Sequence, residues 1–295
     1  MKNESPVLTW FSFITLLLFS IACIMPFILL ISASLTDQSS IIVDGYSFVP
    51  NVFSTSAYEF LMSRGSDIFR AYGISVFITV FGTVVGVAIT LLIAYPLSRK
   101  VTPHRSLILF IVFFSILFNG GLVPTYLIYA QFLEMKNTIW ALIIPGLLTN
   151  GYYIMLMRVF LQGSMEPALI ESAELDGANE YRILWHIVIP LSTSVMATIG
   201  LFTAIMYWND WTNGMVYITD PSLFSIQNLL QRIMQDVQFI VTNLDSSNAG
   251  SALQEMPSDT VKMAIAVIGS LPILLAYPFF QKYFIKGIMF GAVKG

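Results

Sequence analysis

The chain has 295 residues, of which 56% are hydrophobic and 11% charged, with a mean hydropathy of +0.77. Soluble domains carry about a quarter charged residues, so this composition excludes one and reads as an integral membrane protein. The formal charge of −3 comes without a basic patch interleaved with aromatics, which excludes nucleic-acid binding, and the single cysteine, Cys23, excludes an internal disulfide or a cysteine-based metal cluster.

The first apolar run, 11–31, is long enough to cross about 30 Å of hydrocarbon as a helix. Ser32-Ala33-Ser34 resembles a cleavage site, but the run exceeds the roughly 7–15 residues of a signal core and its head, Lys2 beside Glu4, is barely basic, so a retained span is the reading. Residues 32–70 are polar, broken by Gly45 and Pro50, and read as an external loop. A second span is expected over 71–97, where Gly82 and Gly86 sit at the small-xxx-small spacing that permits close helix approach, or a hinge.

Arg99, Lys100 and Arg105 form the densest positive cluster, which places 98–105 on the cytoplasmic side. A third span over 107–133 is interrupted by Asn119-Gly120-Gly121 and Pro124. A fourth over 138–161 contains Pro145 and Thr149-Asn150-Gly151. The polar segment 162–191 then returns to the cytoplasmic side, 192–211 is the fifth span, 212–262 a long external loop, and 263–280 the sixth span. Within that external loop, 223–239 has the pattern of a helix lying on the membrane or against a partner. Most of the 14 Lys and Arg residues fall on the inner side of this arrangement. The fold expected is an all-α membrane protein, a single domain over 1–295 with six transmembrane helices and both termini cytoplasmic.

The segment Glu166 to Pro190 is a polar stretch trapped between apolar runs. Pro167 suits the first turn of a helix and Gly177 the residue just past its end, which predicts a helix from Pro167 to Asp176. Asn179 then caps a second helix that stops near Pro190. Tyr181, Leu184, Trp185 and Val188 recur at helical spacing, predicting one apolar, aromatic face opposite Glu180, Arg182 and His186. Five acidic residues in the segment argue against a helix resting on anionic lipid, which attracts basic helices.

Glu171-Ser172-Ala173, three residues, Gly177, nine residues, Ile187, one residue, Ile189 and Pro190 resembles the EAA loop of ABC importer membrane subunits, E-A-A, three residues, G, nine residues, I-x-L-P. Ser172 replaces the first alanine and Ile189 the leucine. Asp176-Gly177-Ala178 and the closing Lys286-Gly287 with Gly291 to Gly295 further resemble the carbohydrate-uptake branch, that of the maltose-type second permease. The resemblance implies a coupling helix that docks in a cleft of a separate cytoplasmic ATPase, with Glu171, Ser172, Ala173, Asp176, Gly177, Ile187 and Pro190 as the coupling residues. Glu171 would make a polar contact, Ala173 permit close approach, Gly177 reverse the backbone and Pro190 fix entry into the fifth span. It also implies a second, different permease, an ATPase dimer, an external substrate-binding protein and multi-pass residence in a prokaryotic cytoplasmic membrane.

The residues carry no chemistry that contradicts this. There is no Gly-rich phosphate loop and no paired Cys or His, so the chain is read as a non-enzyme binding neither cofactor nor metal, with ATP and Mg expected on the partner ATPase. Asn119 and Asn150, each near a glycine and midway along a span, together with Tyr153, Trp208, Asn209 and Asp210, are candidates for a substrate pathway, because rings plus amides and a carboxylate suit a sugar. Interhelical amide bonding and interfacial aromatics explain the same residues. The alternative function is a self-contained secondary transporter or channel. It would require internal repeats or buried ionisable groups, and the expected spans contain only Arg158 and Asp210, each toward a span end.

Overall fold

The computed structural model describes residues 6–63, 65–146, 148–244 and 259–275. Among them the chain is almost entirely helical, with no strand and one isolated antiparallel bridge between Thr36 and Phe53. It divides into two compact units, Met1–Asp67 with Leu230–Pro272 and Ile68–Leu229 with Ile273–Gly295.

In the first unit, the Pro6–Ser34 helix is apolar on all sides and its side chains from Leu8 to Ile31 stand largely exposed, the pattern of a helix whose solvent is lipid. Its end is polar and fixed: the Ser34 hydroxyl lies 2.8 Å from that of Tyr58, and Ser32 donates to the Ser47 carbonyl. A short helix, Gln38–Asp44, starts where the Asp37 carboxylate accepts the Ser39 N–H. Gln38 in turn accepts the backbone N–H groups of Asp259 and Thr260, both at 3.1 Å, so one buried side chain supplies acceptors to the free donors that open the 259–275 helix. The expected sixth span, 263–280, begins inside that helix, and 276–280 lie outside the described residues.

The second unit is built around the long Gly65–Ser98 helix, which covers the expected second span. Leu91, Ala94 and Leu97 pack with Met157 and Leu161 of the Gly151–Ser164 helix and Val195 and Ile199 of the Thr193–Asn209 helix. Gly82 fulfils the close-approach reading: a Cβ there would lie 2.2 Å from the Tyr207 ring, and at Gly86 it would lie 3.2 Å from the Leu148 carbonyl oxygen. Tyr207 is held in turn by its hydroxyl, which donates to the Ile143 carbonyl at 2.9 Å.

Two expected spans are not straight helices. The third is a pair, Arg105–Leu117 and Leu122–Phe132, bent by 116°. Gly121, at φ +83°, takes the left-handed backbone at that break. The fourth, expected over 138–161, is cut down to a short 3₁₀ turn, Ile139–Leu142, and the 14-residue Gly151–Ser164 helix. Pro145, the left-handed Gly146 and the capping Asn150 end and restart the backbone despite continuous hydropathy. Within the expected fifth, 192–211, lies the helix Thr193–Asn209, which meets the preceding Glu180–Leu191 segment at 76°. Among the described residues, two helices are long and apolar enough to cross a membrane alone, Leu8–Ser34 and Gly65–Ser98, or up to four if each bent pair is one span.

The two expected loops carry helices of their own. The Ile226–Leu244 helix replaces the expected 223–239, because Pro221–Leu223 forms a separate 3₁₀ turn capped by Asp220. Its buried positions Ile226, Leu230, Ile233 and Val237 fall on one face, and its first N–H donates to the Ser75 hydroxyl at 2.8 Å. Residues 245–251 of the polar tract and the 286–295 tail lie outside the described residues.

Candidate functional site, a helical hairpin anchored on one long helix

The segment 167–191 folds as two helical arms. The first is Pro167–Leu175, with Pro167 in its first turn and Asp176 at its end. Gly177 follows at φ +78°, its N–H donating to the Glu174 carbonyl at 3.0 Å while Ala178 N–H reaches the Ala173 carbonyl at 2.9 Å. That pair of bonds is the Schellman closure, and it requires a left-handed residue where Gly177 stands. The second arm opens where the Asn179 side chain accepts the Arg182 N–H. It continues past Pro190 to Leu191, because the backbone widens into a π-turn over Leu184–Val188. Pro190 has no N–H and its ring would collide with the carbonyl four residues back in a regular helix, and the wider turn relieves this.

Burial along the second arm corrects the expected face. Leu184 and Val188 are buried, with Ile183 beside them, but Tyr181 and Trp185 are 76% and 65% exposed. The buried face is centred on Ile183 and Leu184, and at 3.6 residues per turn Tyr181 and Trp185 both fall well away from that direction. The hairpin therefore has an inner face, Ile170, Ile183, Leu184 and Val188, and an outer one on which Leu169, Leu175, Tyr181 and Trp185 stand exposed with Glu171, Ser172 and Asp176. Ala173 and Ile187 are half-buried against the same core, and Pro190 is exposed.

The hairpin is tied to the C-terminal end of the Gly65–Ser98 helix. Arg99 forks between the two arms: one guanidinium nitrogen meets Glu174 of the first, the other Glu180 of the second. The Tyr95 hydroxyl donates to the remaining Glu180 oxygen at 2.7 Å. Partial burial alone would lower the Arg99 pKa, but the Glu174 and Glu180 carboxylates outweigh it and the net direction is upward, so the clamp stays charged. A groove of about 630 Å³ runs alongside, walled by Leu92, Tyr95, Pro96, Val101, Tyr181 and Leu184.

The last carbonyls of the same helix, which have no partner within it, are taken up by side chains. Thr102 donates to Pro96 at 2.6 Å, Arg105 and Arg158 to Leu97 at 2.9 and 3.1 Å, and Gln162 to Ser98 at 3.2 Å. Cations at a helix C-terminus also complement its dipole. The basic cluster, read from sequence only as a marker of membrane side, thus has a second task that nothing local in the sequence announces.

The candidate pathway residues each make contacts of their own. Asn119 sits at the 116° break and spends its side-chain oxygen on the Gly121 N–H, and Asn150 caps the Gly151–Ser164 helix through the Tyr152 N–H, both at 2.9 Å. Asn150 is thus at a helix start. Trp208 is buried with its ring 6.1 Å from that of Tyr72, and Asn209 bonds back to the Ile205 carbonyl. Asp210 accepts the Asn213 N–H at 3.2 Å. Tyr153 stacks on Phe202 at 6.5 Å, with Tyr152 edge-on to it at 6.0 Å and Tyr152 and Phe202 exposed.

Comparison with known proteins agrees with this architecture. The family model described as binding-protein-dependent transport system inner membrane component matches residues 86–289. The polygalacturonan/rhamnogalacturonan transport system permease protein YtcP of Bacillus subtilis (strain 168) is 37% identical over 280 residues, covering 95% of this chain and 96% of the relative. Protein LplC of the same organism is 36% identical over 273 residues, covering 92% and 90%. Among solved structures, a bacterial ABC transporter involved in the import of the acidic polysaccharide alginate matches with a TM-score of 0.78 at 27% identity, over 96% of this chain and 99% of that one. This chain belongs to the family of binding-protein-dependent transport system inner membrane components, the membrane permeases of ABC importers.

Proposed function

We propose that the chain is one permease subunit of an ATP-driven importer for an oligosaccharide or related sugar, embedded in the cytoplasmic membrane of a prokaryote. It crosses the membrane six times as a single permease domain with both termini cytoplasmic, pairs with a second, different permease, and takes its substrate from an external binding protein. Hydrolysis belongs to a separate ATPase dimer that holds ATP and Mg. The hairpin 167–191 is the joint, moving as a rigid body when the ATPase closes. Glu171, Ser172, Asp176 and Pro190 form its docking side, while Ala173, Gly177 and Ile187 set its shape.

The observation that carries this reading is the division of the hairpin into a buried face and an exposed one. Leu175 is 89% exposed, and Tyr181 and Trp185 are exposed too, on a segment whose other side is fixed in the core. Aromatic and apolar groups grouped in this way are what a protein partner covers. The sugar part of the reading rests on the names of the polygalacturonan/rhamnogalacturonan permease and the alginate importer. Tyr153, Trp208, Asn119, Asn150, Asn209 and Asp210 are proposed to lie along the route, and the adjoining Tyr152, Tyr153 and Phe202 rings supply flat faces for sugar CH groups.

The test is a mild-detergent pull-down through an N-terminal tag, with mass spectrometry of the proteins retained. A second permease, an ATPase and a binding protein are expected, and the recovered binding protein is then screened against neutral and uronate oligosaccharides. Recovery of this chain alone, under conditions that preserve other importer complexes, would overturn the docking reading and favour a self-contained transporter.

A further inference from the structure

We propose that Arg99 is a positioning residue that locks both arms of the hairpin to the C-terminal end of the Gly65–Ser98 helix, so that this helix end travels with the hairpin. The inference rests on the reading of the hairpin as the ATPase joint, and it adds a route by which motion there reaches the long helix directly, without passing through the 76° break after Leu191.

Three features of the geometry lead to it. Arg99 touches both arms at once, so neither arm moves relative to the helix end without breaking an ion pair. Glu180 is held twice, by the guanidinium and by the Tyr95 hydroxyl, which belongs to the helix itself. The backbone around Arg99 is also fixed, since the carbonyls of Pro96, Leu97 and Ser98 are bonded to Thr102, Arg105, Arg158 and Gln162. A planar guanidinium presents donors along two edges, whereas an ammonium is a single point charge, so lysine at 99 cannot engage both carboxylates in this geometry.

Exposure sets how firm the lock is. The Arg99 side chain is 18% exposed, but Glu174 and Glu180 are 43% and 61% exposed, so water can take over the carboxylates when the guanidinium is removed. The lock is therefore a surface clamp that can be removed, not a core element whose loss unfolds the chain.

The test places nitroxide labels at Val101→Cys, on the loop after the helix end, and Arg182→Cys, on the second arm, in a Cys23→Ser background. Val101 is 84% exposed and Arg182 is also exposed, so labels there disturb little. EPR distances are read in the full chain in nanodiscs, and again in the assembled complex with and without ATP. A single narrow distance is expected for the parent chain, unchanged by ATP in the complex. In Arg99→Gln the population away from that distance should rise about five-fold, the effect of losing two partly exposed pairs, and Arg99→Lys should fall between.

The double variant Glu174→Gln/Glu180→Gln should reproduce Arg99→Gln from the exposed side. An unchanged distance distribution in Arg99→Gln and the double variant would overturn the lock, and an ATP-dependent distance in the parent complex would overturn the joint motion. Failure to recover any ATPase would remove the docking reading, whereas the distances in the isolated chain decide the lock with or without it.

Discussion

The Gly65–Ser98 helix makes two joints of opposite kinds. At Gly82 the Thr193–Asn209 helix comes so close that a single methyl group would enter the Tyr207 ring, which is 1% exposed and held by its own hydrogen bond to Ile143. At Arg99, just past the C-terminal end, the contact is ionic, hydrated on its acidic side and bordered by a groove. A packed seam has one arrangement and gives way only by overpacking or cavity formation. An ion pair at the edge of water exchanges partners at little cost. One helix is thus held by packing near its middle and by charge at its end, where it is tied to the hairpin.

The packed seam should break hardest. Gly82→Val places two further methyl groups beyond the clashing Cβ, and Tyr207 cannot swing away without abandoning Ile143. A cost of at least about 3 kcal/mol is expected, at the upper end of overpacking substitutions. Thermal unfolding followed by size-exclusion chromatography in detergent should show a large drop in midpoint, and a shift under a few degrees would mean that the two helices separate easily.

The hairpin gives an intermediate effect of a different origin. Nothing lies within 4 Å of a Cβ at Gly177, so Gly177→Val should cost the isolated chain only the strain of its left-handed backbone, about 1–2 kcal/mol. Insertion and expression should survive. In the complex, however, the added side chain points into space that the docked ATPase occupies on the proposed reading, so ATP hydrolysis should persist while uptake is lost. Full uptake by this variant would show that the hairpin end is not a docking surface.

These two regions also differ in how much of them was legible from sequence. The hairpin caps were, because Pro167, Gly177 and Asn179 each have a fixed backbone use that needs no tertiary knowledge. Gly82 and Gly86 likewise signalled close approach by spacing, though not against which helix. The exposure of Tyr181 and Trp185 was hidden, since their spacing with Leu184 and Val188 suits one apolar face, whereas the core takes the face centred on Ile183 and Leu184. The fourth apolar run gave no warning in its hydropathy that Gly146 and Asn150 would divide it. Arg99 was the hardest case: its partners lie 75 and 81 residues away, and in the one-dimensional chain it is only one more inner-side charge.

The smallest expected effect separates the two joints most cleanly. Glu174→Gln removes one of the two carboxylates on Arg99, but Glu180 keeps its contact and the site at Glu174 is already 43% exposed, so about 0.2–1 kcal/mol is the expected loss. Because the interaction is between charges at the edge of water, it weakens as the Debye length falls from about 10 Å at 0.1 M salt to about 3 Å at 1 M. The difference in unfolding midpoint between Glu174→Gln and the parent chain should therefore shrink toward zero across that range. The Gly82→Val difference, which is steric, should stay constant in the same titration. A Glu174→Gln deficit that ignores salt would mean that the side chain acts through packing, and the end of the Gly65–Ser98 helix would then be the same kind of joint as its middle.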